Sequence, residues 1–193
     1  MSRRFLAALF LLQAGAVAAQ STGDMPVAVI VSGPQVGDRA PDFSLPWSTR
    51  EVTGGDPWFS LSAQRGRVVV VAFYPRDFTS GCTAEMKTFA DQYADLFGES
   101  VVVVGVSTDS LSTHRRFAEE LSLPFQLLSD PDQAVSKKYG SADPGGYNRR
   151  TVFVIGKDGK LAYSDRKFGA LDPKAYERLK EAVQRAQKVG ESR

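Results

Sequence analysis

The sequence predicts an α/β domain built on a central mixed sheet flanked by helices. Three observations lead there. Continuous apolar runs at 68–74 and 101–106 read as strands buried on both faces. The segments that follow each run place apolar side chains at helical spacing. Near the end of the chain, a turn of the type Lys157-Asp158-Gly159-Lys160 joins two further strand-like runs, which adds an antiparallel hairpin. At 193 residues the chain is long enough for one domain with a sizeable core.

The elements follow in order. Asp42-Phe43-Ser44-Leu45-Pro46 forms a short strand, and 47–57 is loop, punctuated by Thr53-Gly54-Gly55-Asp56-Pro57. Residues 59–62 lead into a turn at Arg65-Gly66. After the first valine run, Met86, Phe89, Tyr93, Leu96 and Phe97 recur at helical spacing. After the second, Asp109 or Ser110 caps a helix that carries Phe117 and Leu121. Residues 125–128 are strand-like, and Asp130-Pro131 opens a helical piece reaching about Tyr139. Residues 151–155 form a strand and 161–164 its hairpin partner. Asp172-Pro173 caps a last helix with Tyr176, Leu179, Val183 and Ala186 on one face. The βαβ units imply parallel strands with helices on both faces.

The first twenty residues are of another kind. Arg3 and Arg4 precede a mostly apolar stretch over 5–17, and small residues around 16–19 offer a cleavage site. This is the layout of a secretory signal peptide, too short for a comfortable membrane span. Three segments result: a signal peptide over 1–20, a linker over 21–35 with a short apolar stretch at 27–31, and a domain over 36–193. The mature chain is expected outside the cytoplasm, periplasmic or secreted, with no stable membrane insertion after cleavage. Net charge is +2, from 24 basic and 22 acidic side chains, and loss of Arg3 and Arg4 brings it to about zero. Such a balance points away from nucleic acid as a partner.

Cys82 is the one cysteine, so an intramolecular disulfide is impossible. An unpaired thiol in an exported protein is a liability unless it is buried or used. It stands at a strand-to-helix turn, where helix N-terminal amides favour a thiolate. A thiolate that reduces a peroxide must be held as an anion, meet the O–O bond in line, and find donors where charge develops. Each need has a candidate. Thr79 sits one turn before Cys82, so its hydroxyl can reach the sulfur or a peroxide oxygen; Gly81 has no side chain to crowd the approach. Pro75 can shield the thiolate without offering a competing N–H. The cation must come from elsewhere, and Arg149-Arg150, feeding the strand at 151–155, can supply a guanidinium.

Pro75, Thr79 and Cys82 match the P-x-x-x-T-x-x-C motif of peroxiredoxins. The stretch 74–85, with Val36-Gly37-Asp38-Arg39-Ala40-Pro41-Asp42-Phe43 upstream and Leu127-Leu128-Ser129-Asp130-Pro131-Asp132 downstream, resembles the subgroup called bacterioferritin comigratory protein or PrxQ. The resemblance implies a thioredoxin-like fold and a thiol-dependent peroxidase acting on hydrogen peroxide and organic hydroperoxides. It makes Cys82 the peroxidatic nucleophile, with Pro75 and Thr79 shaping its pocket and Arg150 facing it, Arg149 being the alternative. It gives Glu85 the place of an acid that orients the arginine. Many members of the subgroup carry a resolving cysteine five residues after the first, where this chain has Lys87. The sulfenic acid then needs an external thiol, a small molecule or a thioredoxin-like protein. No cofactor is implied, and the chain is expected to be a monomer or weak dimer.

Two other readings stay open: a thiol–disulfide oxidoreductase on the same fold, disfavoured because Thr79 and Glu85 stand three residues either side of Cys82, and a non-enzymatic peroxide sensor. The single histidine, His114, sits among Thr113, Arg115 and Arg116 and is expected to face solvent. With so few histidine and cysteine ligands, a soft-metal site is not expected. Trp47 and Trp58 flank the polar loop and are expected to pack.

Overall fold

The computed structural model describes residues 33–56 and 58–189. The expected signal peptide, and all but the end of the linker with its 27–31 stretch, lie outside the described residues. Among those residues no helix is long and apolar enough to cross a membrane.

The main sheet has six strands: β2 (Trp47–Ser48), β4 (Val69–Phe73), β5 (Val102–Ser107), β6 (Gln126–Ser129), β7 (Thr151–Ile155) and β8 (Leu161–Asp165). Their order across the sheet is β2-β6-β5-β4-β7-β8. β4, β5 and β6 run parallel, while β7, β8 and β2 are antiparallel to their neighbours. A separate two-stranded pair joins β1 (Ser44–Leu45) and β3 (Phe59–Ser60). The helices are α1 (Ser80–Asp91), α2 (Tyr93–Leu96), α3 (Leu111–Glu120), α4 (Ala134–Lys138) and α5 (Pro173–Lys188), with a 3-10 turn at Ser62–Gln64.

Successive residues of β4 point to opposite faces of the sheet. Val70 and Ala72, with Val68 and Tyr74 at its ends, join a core completed by Met86 and Phe89 of α1, Phe117 of α3 and Leu179 of α5. Val69, Val71 and Phe73 join a second core with Phe43, Leu45, Phe59, Val135 and Tyr139. The helices therefore do not divide evenly between the faces. β4, β5 and β6 step across the sheet in one direction, and right-handed crossovers then put α1 and α3 on the same side. The other side is covered by β1, β3 and the short α4.

Caps fall near the places the sequence marks. Ser110 Oγ accepts the Thr113 amide at 3.3 Å, and Asp172 accepts that of Lys174 at 3.0 Å, with Pro173 opening α5. Two expectations shift. Asp130 does not open a helix at once: Gln133 turns left-handed, and the Asp130 carboxylate reaches forward to Val135 and Ser136. The stretch 47–57 is not all loop, because Trp47 and Ser48 pair with Leu128 and Leu127 and form an edge of the main sheet.

Candidate active site

β4 delivers the chain to the site. Its ladder ends at Tyr74, whose amide donates to the Val106 carbonyl at 3.1 Å. The next residue, Pro75, has no N–H to pair and is half-buried. The turn over 76–79 reverses the chain into α1. Thr79 caps it with extended backbone, and Cys82 is the third residue of the helix. The first intrahelical bond runs from the Thr83 amide to the Thr79 carbonyl at 2.8 Å. The amides of Ser80, Gly81 and Cys82 precede it and have no intrahelical acceptor. They add to the positive end of the helix dipole beside the sulfur.

The cation arrives from the other side of β4. β7 pairs antiparallel with β4 and sets Thr151 opposite Phe73, so the residue before Thr151 sits at the end of β4 where α1 begins. That residue is Arg150. Its Nη2 lies 3.4 Å from Cys82 Sγ, across 68 positions of sequence. Its Nη1 donates to Glu85 Oε2 in a very short contact. Arg149 points away, is half-exposed and pairs with Asp143 at 3.4 Å. The geometry thus places Arg150, not Arg149, at the thiol. A Cβ built on Gly81 would stand 3.1 Å from Arg150 Nη2, so the bare glycine makes room for the guanidinium.

Burial tunes the groups. Burial works against the charge on Arg150, but the negative fields of Glu85 and Cys82 outweigh it and hold its pKa above the ordinary arginine range. Glu85 is fully buried, and its Oε1 has no hydrogen-bond partner. Desolvation pushes its carboxyl up from 4.5 to about 7, against the pull of Arg150. Cys82 is also fully buried, packed with Tyr74, Met86 and Phe89.

Two expectations need correction. The Thr79 hydroxyl faces the carbonyl of Arg76, to which it donates at 3.0 Å, rather than bonding the sulfur. His114 does not face solvent: it is fully buried, because the α3 face bearing His114, Phe117 and Ala118 turns inward. Elsewhere, Lys87 projects from α1 into an exposed pair with Asp91 at 2.6 Å. Trp47 packs against the second core, whereas Trp58 is 57 % exposed and does not pack as expected.

Sequence reasoning missed Asp77 and Phe78, both inside the P-x-x-x-T-x-x-C frame at positions where any residue fits. Asp77 is buried and bonded to Tyr74 and His114. Phe78 adopts φ +59°, a left-handed backbone that costs a non-glycine residue about 1 kcal/mol or more. The one sequence signal for this cluster was a lone histidine.

The pattern of the AhpC/TSA family matches residues 36–164. The chain is 33% identical over 147 residues to peroxiredoxin Bcp of Bacillus subtilis, an alignment covering 72% of this chain and 88% of that protein. It is 39% identical over 129 residues to the chloroplastic peroxiredoxin Q of Oryza sativa subsp. japonica, covering 66% of this chain and 57% of the plant protein. Among solved structures it is similar to the Xanthomonas campestris bacterioferritin comigratory protein, studied for alkyl peroxide reduction. That match has a TM-score of 0.65 at 26% identity and covers 75% of this chain and 92% of that one.

Proposed function

This chain belongs to the AhpC/TSA family, and we infer that it is a thiol-dependent peroxidase of the Bcp and peroxiredoxin Q kind, working with one cysteine. The observation that carries the reading is the Arg150 guanidinium 3.4 Å from Cys82 Sγ at the N-terminus of α1.

The chemistry follows from the site. The Cys82 thiolate attacks one peroxide oxygen; an S–O bond forms and the O–O bond breaks. Sulfur is oxidised by two electrons to the sulfenic acid, and the departing oxygen leaves as water or an alcohol once protonated. Arg150 and the amides at the start of α1 face the region where negative charge moves from sulfur to the leaving oxygen. Pro75 and Thr79 bound that region, Gly81 leaves it open, and Glu85 fixes the guanidinium from behind. With no second cysteine in the sequence, an external thiol attacks the sulfenic sulfur and expels water; a second thiol then breaks the mixed disulfide. The substrates are hydrogen peroxide and organic hydroperoxides, and the reductant is a small thiol or a thioredoxin-like protein. The protein acts as a monomer or weak dimer. Arg3-Arg4 with the apolar stretch behind them supports export, so the enzyme works in the periplasm or beyond the cell.

The test is turnover. The full chain with dithiothreitol should consume many equivalents of peroxide, and Cys82→Ser should consume none. A single stoichiometric oxidation with no recycling by any thiol would favour a sensor instead.

A further inference from the structure

His114 is buried on α3 and has no part in the chemistry above, yet every polar atom of its ring is engaged. Nδ1 lies 2.8 Å from Asp77 Oδ2, and Nε2 lies 3.2 Å from the Leu128 carbonyl. Both partners offer only oxygen acceptors, so the bond to Asp77 is made by the tautomer that carries its proton on Nδ1. The other Asp77 oxygen accepts the Tyr74 hydroxyl at 2.7 Å. The Asp77 amide donates to Asp109 Oδ2 at 2.9 Å, and that carboxylate also accepts Ser107 Oγ at 2.7 Å. Asp77 is thus held through both side-chain oxygens and its backbone, at the midpoint of the turn that separates Pro75 from Thr79.

The same helix grips the next residue. The Phe78 ring packs edge-on against Phe117 at 5.0 Å between centroids. His114 and Phe117 are three residues apart on α3 and share one face. A left-handed backbone at Phe78 persists only where neighbours over-determine it, and α3 supplies two of the fixings, one polar and one apolar. The Thr79 hydroxyl closes the turn on the Arg76 carbonyl. Two successive residues of the turn from β4 into α1 are thereby held by α3.

We propose that His114 is a positioning residue for peroxide reduction: its bond to Asp77 fixes the 76–79 turn, and through it the place of Thr79 at the edge of the region where peroxide meets Cys82. This rests on the peroxidase reading. A turn displaced by about 1 Å leaves the thiol in place but spoils the alignment of the O–O bond, a loss of about a hundredfold in comparable cases.

Two substitutions separate positioning from mere filling. In His114→Asn the amide nitrogen stands near Nδ1 and can still donate to Asp77; in His114→Gln it reaches the Nε2 position and serves Leu128 instead. Single-turnover oxidation of Cys82 by hydrogen peroxide should stay within about threefold of the parent for His114→Asn and fall about a hundredfold for His114→Gln. Alkylation of Cys82 by iodoacetamide, which needs the thiolate but not the peroxide alignment, should change by less than about threefold in both. Equal peroxide rates in the two variants, or alkylation falling in step with peroxide reactivity, would overturn the proposal. Should neither variant fold, Tyr74→Phe removes one Asp77 bond with little change of shape; a drop of about tenfold with alkylation unchanged is expected, and an unchanged peroxide rate would equally overturn it. A parent protein that does not consume peroxide would instead remove the underlying reading.

Discussion

Replacing Glu85 by glutamine turns the electrostatics of the site into a stability measurement. The carboxyl is fully buried, one oxygen faces Arg150 and the other has no partner. Desolvation raises its pKa from 4.5 to about 7. The folded protein therefore holds the Glu85 proton more tightly than the unfolded chain does. The resulting stability is fully present below about pH 4.5 and is lost as pH rises to 7. At about 1.4 kcal/mol per pH unit, the rise from 4.5 to about 7 corresponds to about 3 kcal/mol. Glutamine is close in shape to the protonated acid and does not titrate. Urea unfolding at pH 4 should give nearly equal stabilities for the parent and Glu85→Gln. At pH 8 the variant should be more stable by about 3 kcal/mol. A variant that is less stable than the parent at pH 8 would refute the reasoning, since Arg150 would then be holding the carboxylate ionised at a net gain.

The remaining expectations concern activity and local stability. Arg150→Met should lower the rate of Cys82 oxidation by peroxide about 10²- to 10³-fold, the usual loss when a donor to developing charge is removed, whereas Arg149→Met, which breaks only an exposed pair with Asp143, should leave it within about twofold; stopped-flow oxidation distinguishes them. Gly81→Ala puts a methyl group 3.1 Å from Arg150 Nη2 and should slow the same step about tenfold by moving the guanidinium, which a peroxide-dependence series will show. Asp172→Ala removes the bond to the Lys174 amide at the start of α5 and should cost about 1 kcal/mol in urea unfolding without changing the peroxide rate.

The parts of this protein legible in its sequence are those set by local chemistry. The strand at Thr151–Ile155 was bounded correctly because an apolar run stands between a basic pair and a glycine turn. Asp172-Pro173 marks the start of α5 because aspartate accepts a free amide and proline fits the first helical position. What stayed hidden depends on contacts distant in sequence. Trp47–Ser48 is a strand only because Leu127 and Leu128 of β6 lie beside it; two residues carry no period of their own. Helices do lie on both faces, as expected, but the way parallel crossovers sort α1 and α3 to one side and leave only the short α4 on the other was not legible. His114 sits among charged neighbours and reads as exposed; the Leu128 carbonyl, the Asp77 carboxylate and Tyr74, brought beside it by folding, account for its burial. Whether Arg149 or Arg150 met the thiol was a matter of register at one strand end, which the β4–β7 pairing decides.

The account turns on Cys82 passing through a sulfenic acid that only an outside thiol can clear. Intact mass of the full chain after one equivalent of peroxide tests this directly. A species heavier by about one oxygen atom should form, vanish on addition of dithiothreitol, and be missing in Cys82→Ser. A parent chain that stays unoxidised while peroxide persists, or a Cys82→Ser chain that gains the same oxygen, would contradict it.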